Sequence, residues 1–219
     1  AALFMSIPAT VTSDLVVVTS SALVSPPTRP PSTVEFLQYG PGAPGTTTVS
    51  VPVTSYSTSG TTAGPLQSIN LVTALDSTSI ALPGSVPLIP GTVYHGGEPI
   101  FIHLTDIDQN VDPLLAETVF VTVTALNTGD RIILELTETS ANNGIFAGAF
   151  QSSNVVTPVN DPTLTITIDE TIRVEYADAT DGTDIDSRDV LVDPYGTVFS
   201  TSDGTRLNGA VVTLVDVAT

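Results

Sequence analysis

The chain has 219 residues and carries 23 acidic against 5 basic side chains, a net charge of −18. All five cations are arginine, and neither lysine nor cysteine occurs. Disulfides, thiolate nucleophiles, Cys-ligated metals, lysine Schiff bases and P-loop phosphate grips are thereby excluded, and so strong a negative field makes nucleic acid and anionic membranes poor partners.

Apolar residues make up 41% of the chain and charged ones 13%, too hydrophobic a balance for an acidic disordered tail. Threonine, valine and serine dominate, and β-branched side chains suit a pleated, half-buried surface, so the expected class is all-β. No apolar run is long enough to span a bilayer, so no membrane insertion is expected. Ala1 to Pro8 is apolar without a basic flank, and the chain reads as processed or cut from something longer.

Three regions are expected in chain order. Residues 1–95 form a β-rich region in which Pro and Gly punctuate short apolar strands at Asp14–Val18, Val34–Tyr39, Val49–Val53 and Ile69–Leu75. The run Ser25-Pro26-Pro27-Thr28-Arg29-Pro30-Pro31 between them must be extended, because each proline fixes φ and restricts its predecessor. Thr46–Thr62 is a Ser/Thr/Gly tract, read as a flexible loop or as a carrier of O-linked sugar.

Residues 96–193 alternate cleanly. Ile100, Ile102 and Leu104 share one strand face; Val119, Val121 and Val123 follow, then Ile132, Leu134 and Leu136. Ile145 to Phe150, the set Leu164, Ile166 and Ile168, and the set Ile172, Val174 and Tyr176 complete the series. Turn chemistry separates them at Asn127-Thr128-Gly129-Asp130, Asn142-Asn143-Gly144 and Asp169-Glu170. This spacing predicts an immunoglobulin-like antiparallel β-sandwich without the Cys–Trp–Cys pin. The one helical signal is a single turn at Asp112-Pro113-Leu114-Leu115, an N-cap followed by proline. Residues 194–219 are expected to supply terminal strands.

From Glu98 to Asp178 the sequence resembles an immunoglobulin-like module repeated in large bacterial surface and exported proteins. The matching residues are Thr105 to Asp112, Glu117 to Thr124, Thr128-Gly129-Asp130, Leu136 to Thr139, and Asn143-Gly144-Ile145-Phe146-Ala147-Gly148. The last stretch is similar to the family's "NTGVF.G" signature, with Ile145 where valine is usual. The resemblance covers a little over a third of the chain and implies a structural ectodomain without catalysis. The tail from Asp193 to Leu214 resembles the opening of a carboxypeptidase-regulatory-like module, through Gly196-Thr197-Val198, Gly204 and Gly209 to Leu214. A lone β-pair is marginal in water, so either the chain is a fragment or its last strand pairs with another molecule.

The pattern Asp106-x-Asp108-x-Asn110-x-Asp112, with Glu117 beyond it, has the oxygen-ligand spacing of a calcium loop. Val111 stands where an EF-hand needs glycine, and the alternative is an Asx-rich turn with solvated carboxylates. A second acidic loop holds Asp178, Asp181, Asp184, Asp186 and Asp189, with Arg188 expected to pair within it. If strands simply alternate in direction, the two loops fall at opposite poles. His103 is expected on the surface and His95 in a turn. No nucleophile elbow or aspartic-protease signature occurs, so an enzyme is not expected.

These features lead to an extracellular, cell-surface structural protein whose partner is itself, a head-to-tail homopolymer built by strand exchange. The contact strands would carry Leu3, Ile7, Leu15 and Val17 at one end and Val211, Leu214 and Val217 at the other. The alternative is a calcium-stiffened stalk or binding segment of a bacterial adhesin, with neighbouring modules of a longer chain as partners.

Overall fold

A computed structural model describes residues 30–193 and 198–213. The protein is all-β: its described residues form one large mixed sheet and one small two-stranded sheet. The strands before residue 95 are β1 (Thr33–Tyr39), β2 (Thr47–Val51), β3 (Thr54–Ser57), β4 (Leu66–Ile69), β5 (Leu71–Thr73), β6 (Ser79–Ala81), β7 (Gly84–Pro90) and β8 (Val93–Tyr94). Those after it are β9 (Pro99–Thr105), β10 (Thr118–Ala125), β11 (Arg131–Glu138), β12 (Ile145–Ser153), β13 (Thr163–Thr165), β14 (Glu170–Ala177) and β15 (Ile185–Val192).

The large sheet runs β2-β7-β1-β9-β12-β11-β10-β14-β15-β8. Its β11–β12 pairing is brief, holding only Thr137 against Ala147 and Glu138 against Phe146. The sheet folds over at that corner, so that β1 comes to lie against β15. Period-two alternation then fills the space between the layers. Val119, Val121 and Val123 of β10 and Ile172, Val174 and Tyr176 of β14 are buried while their neighbours face out. Phe36, Leu104, Phe146 and Phe150 meet them from the other layer.

β9 and β12 read as continuous buried runs from Pro99 to Ile102 and from Phe146 to Phe150 because both of their faces are covered. The β5–β6 hairpin is tied to β12 by Gln151, whose Oε1 accepts from Thr73 N at 2.9 Å and whose Nε2 donates to Thr73 O at 3.3 Å. Gly148 allows β3 to approach: Thr54 Oγ1 accepts from Ala149 N at 2.7 Å, and a Cβ at Gly148 would sit 2.9 Å from that oxygen.

The change of composition near residue 95 does not divide the sheet. β1 pairs with β9 over Thr33–Gln38, and β3 pairs with β11, so strands from both expected regions share one ladder. The Ser/Thr/Gly tract contains β2 and β3 rather than only loop, since Val51 is buried at the end of β2 and Thr54 and Tyr56 of β3 turn inward. The stretch Ile69–Leu75 is split at Asn70 into the end of β4 and β5. Of the Leu164–Ile168 run only Leu164 and Thr165 belong to a strand, β13; Ile166 is buried beyond it and Ile168 is exposed. The expected Asp14–Val18 strand and the Pro26–Arg29 joint lie outside the described residues.

Two acidic side chains clamp the layers together at one end. Asp184 accepts from Ser32 N at 2.9 Å and from Ser32 Oγ at 2.7 Å, and Asp186 accepts from Val34 N at 2.7 Å. Replacing Asp186 by alanine leaves the Val34 N–H without that acceptor and is expected to cost about 1–2 kcal/mol in urea unfolding. Wild-type stability in the variant would show the clamp to be idle.

Strand direction sets what meets at each pole. β9, β11 and β14 run one way, and β10, β12 and β15 the other. β13 runs parallel to β12, so the series β12, β13, β14 contains one reversal rather than two. The ends of β9 and β14 therefore lie at the same pole. The two acidic loops meet there, contrary to the expectation that they stand apart.

Candidate functional site

At this acidic pole the loop after β9 begins with Asp106, 1% exposed, and turns through a short 3-10 segment, Ile107–Gln109. Asp178, 4% exposed, arrives at the end of β14. One carboxylate oxygen from each of Asp106, Asp108 and Asp178 lies within 4.8 Å of the others. Tyr176 Oη donates to Asp106 Oδ2 at 2.6 Å, and Gln109 Nε2 donates to Asp178 Oδ1 at 2.7 Å. These two donors hold one oxygen of each acid and leave Asp106 Oδ1 and Asp178 Oδ2 buried without a hydrogen bond. Asn110 Oδ1 and Glu117 Oε2 are in the same condition. The Asn110 amide is oriented by its Nδ2, which donates to Asn142 Oδ1 at 3.0 Å.

Burial, reinforced by the Asp108 and Asp178 carboxylates, pushes the Asp106 carboxyl up to about 7. Asp178 moves the other way. Burial opposes its charge, but the Thr180 backbone N–H and hydroxyl outweigh that and hold its carboxyl below the usual range. The set is a close cluster of hard oxygens, suited to a divalent cation.

The remaining expected ligands divide by role. Asp112 caps the turn that follows it, accepting from Leu114 N at 3.0 Å, and that turn replaces the expected helical one. Glu117 Oε1 accepts from Val111 N at 3.0 Å and from Asp112 N, closing the loop on itself. In the second acidic stretch Asp181 holds Thr183, while Asp184 and Asp186 form the interlayer clamp. Asp186 and Asp189 belong to β15 rather than to a loop, and Asp189 takes a bidentate pair at 2.8 Å from Arg173, not from Arg188. Sequence reading missed Tyr176 and Gln109 as organisers, although Tyr176 was placed on the inward face of its strand.

Glu138 secures the neighbouring turn. Its Oε1 accepts from Gly144 N at 2.6 Å and Asn143 N at 2.9 Å. Burial opposes its ionisation, but these backbone donors prevail and hold its carboxyl below the usual range.

The sequence matches no protein-family model and no curated protein.

The opposite pole is of another character. Thr128 to Arg131, Asn154, Val156, Thr157, Val159, Asn160 and Thr165 to Thr167 line an open cleft of about 580 Å³. Val155, Val156, Val159 and Ile168 are exposed around it. Asp130 is occupied internally, with Oδ1 accepting from Arg131 N at 2.8 Å and Oδ2 from Thr165 N at 2.6 Å. The Arg131 guanidinium donates to the Gly60 carbonyl at 3.3 Å.

Glu98 is buried beside this end, at 3% exposure. Gln38 Nε2 donates to its Oε2 at 2.9 Å, while its Oε1 has no hydrogen bond. Burial, with the charges of Asp193 and Asp203 nearby, pushes its carboxyl up to about 8. A terminal hairpin is bridged between Phe199 and Arg206 and sits over Glu98. A Cβ at Gly204 would fall 1.6 Å from Glu98 Oε1. Of the two histidines, His95 does lie in a turn; it contacts Asp193 and stacks edge-on to Phe199 at 3.8 Å. His103 is half-buried rather than on the open surface, 3.8 Å from Glu35, and burial pulls its imidazole below the usual range.

Proposed function

We propose that this chain is a non-enzymatic structural protein of the extracellular surface, joined end to end with copies of itself into a fibre. The observation that carries this reading is the pair of unlike apolar poles. One presents Ile107, Val111, Leu114 and Leu115 to solvent, with Leu114 85% exposed, beside the acidic cluster. The other presents exposed valines around the cleft, with Arg131 free of any carboxylate among the described ion pairs. Apolar surface of this kind on a soluble body favours association. An acidic knob against an arginine-bearing cleft gives the contact a direction, and a head-to-tail contact whose rotation closes no ring extends into a filament.

Strand exchange would strengthen such a junction. Val211 is 91% exposed and outside any strand of its own chain, which leaves its backbone available for pairing. The other expected contact residues, Leu3, Ile7, Leu15, Val17, Leu214 and Val217, lie outside the described residues.

Sedimentation velocity over a hundredfold range of concentration tests the reading, with negative-stain microscopy of the largest species. Wild type is expected to form linear oligomers, and Leu115→Asp and Val156→Asp, at opposite poles, are each expected to abolish them. A monomer at every concentration would sink the proposal, as would oligomers indifferent to both changes.

A further inference from the structure

We infer that the pole where β9 and β14 end holds one calcium ion, bound by Asp106, Asp108 and Asp178 with the Asn110 amide oxygen. The inference goes beyond end-to-end assembly and does not rest on it. Three carboxylates converge within 4.8 Å, a spacing at which like charges repel unless a proton or a cation intervenes. The buried oxygens argue for the cation. Asp106 Oδ1 and Asp178 Oδ2 belong to side chains 1% and 4% exposed, yet neither accepts a hydrogen bond. Buried oxygens left this way are costly, and they are rare in folded proteins without a metal or water to satisfy them.

The donors nearby make the same point. Tyr176 and Gln109 each bind one oxygen of its acid, Asp106 Oδ2 and Asp178 Oδ1, so both acids are held in place while their second oxygens remain buried without a hydrogen bond. The ligand type selects the metal. All atoms are hard oxygens, with no thiolate in the chain and neither histidine in the cluster, which favours calcium or magnesium over zinc or copper. An irregular loop joined to a strand end, contributing a side-chain amide as well as carboxylates, suits the larger and geometrically more tolerant calcium ion.

Such an ion ties the loop 106–117 to the end of β14, sites roughly seventy residues apart in sequence. Its expected effect is to stiffen the acidic pole, as the adhesin-stalk alternative requires.

The test uses the full chain stripped with chelator and titrated with calcium chloride by calorimetry. One ion per chain is expected, with magnesium at least tenfold weaker. The melting temperature is expected to rise by roughly 5 °C at a hundredfold excess over the dissociation constant. Asp106→Asn keeps an acceptor for Tyr176 and relieves the crowding of charge. It is therefore expected to melt higher than wild type without calcium and to lose the response to it. Asp189→Asn, at the exposed pair with Arg173, is expected to bind as wild type does.

Terbium locates the ion independently. The chain has no tryptophan, so tyrosine-sensitised emission is expected to come from Tyr176, and Tyr176→Phe to remove it. No heat and no melting shift would overturn the inference. So would binding weakened equally by Asp189→Asn, which would mark diffuse attraction to a polyanion, or terbium emission that survives Tyr176→Phe.

Discussion

Stability is expected to fall as pH rises from about 4.5 to about 8, and Glu98→Gln is expected to remove much of that slope. The carboxyl of Glu98 has its ordinary value of 4.5 when unfolded and about 8 when buried beneath the terminal hairpin. Below 4.5 both states hold the proton, so the group is indifferent to folding there. Between the two values only the folded state keeps it, and rising pH then draws the equilibrium toward the unfolded chain. Above 8 both states are ionised and the slope ends. The full difference is on the order of 5 kcal/mol, because each tenfold change in proton affinity is worth about 1.4 kcal/mol. Asp106 adds a slope of the same sign, so the readout is the difference between wild type and variant. Urea unfolding at pH 5 and at pH 8 measures it. Two stability curves that run parallel would show that the hairpin gives way to water as soon as Glu98 ionises.

Gly144→Ala is expected to cost roughly 3 kcal/mol and to disturb the acidic pole. The residue sits at φ +63°, in the left-handed region that glycine adopts freely. A Cβ there would lie 2.7 Å from Ile107 Cα and 2.9 Å from the Asp106 carbonyl oxygen. Both are backbone atoms, so no rotamer change relieves the clash. The Asp106 N–H to Gly144 O bond at 2.8 Å and the Glu138 bond to Gly144 N both depend on that close approach. Gly129 is the control: its φ is +75°, but nothing lies within 4 Å of its would-be Cβ. Gly129→Ala therefore carries only the backbone cost, about 1 kcal/mol. Equal melting temperatures for the two variants would refute the steric argument.

The strands from β9 to β12, and β14, were legible in the sequence because each buries one face, or a continuous run, against a fixed layer. Alternation at Val119 to Val123 and Ile172 to Tyr176 reports that burial directly. β7 was not legible, because Gly84, Pro87 and Pro90 are turn-forming residues in isolation. They are tolerated where β7 pairs with β1 and β2 for reasons of ladder geometry that only the partners reveal. β15 was mistaken for loop because Asp186 and Asp189 interrupt its apolar alternation, which is left with only Val190 and Val192 as buried positions. Those charges are strand residues whose partners are Val34 N, 152 residues away, and Arg173 directly opposite on β14. Among the candidate ligands, the spacing of Asp106, Asp108 and Asn110 was visible, whereas their meeting with Asp178 was not. That meeting follows from β13 running parallel to β12, and three residues of parallel pairing leave no mark on composition.

The clasp between Ser32 and Asp184 spans 152 residues of sequence. At common rates of translation, Ser32 emerges roughly 10–30 s before the carboxylate that caps it. Throughout that interval the first described strand has one flank without its partner, and the acid that will close the opening does not yet exist. The nascent polypeptide must stay adaptable until Asp184 has emerged, so the folding of this sheet is expected to be a collective event rather than a stepwise one.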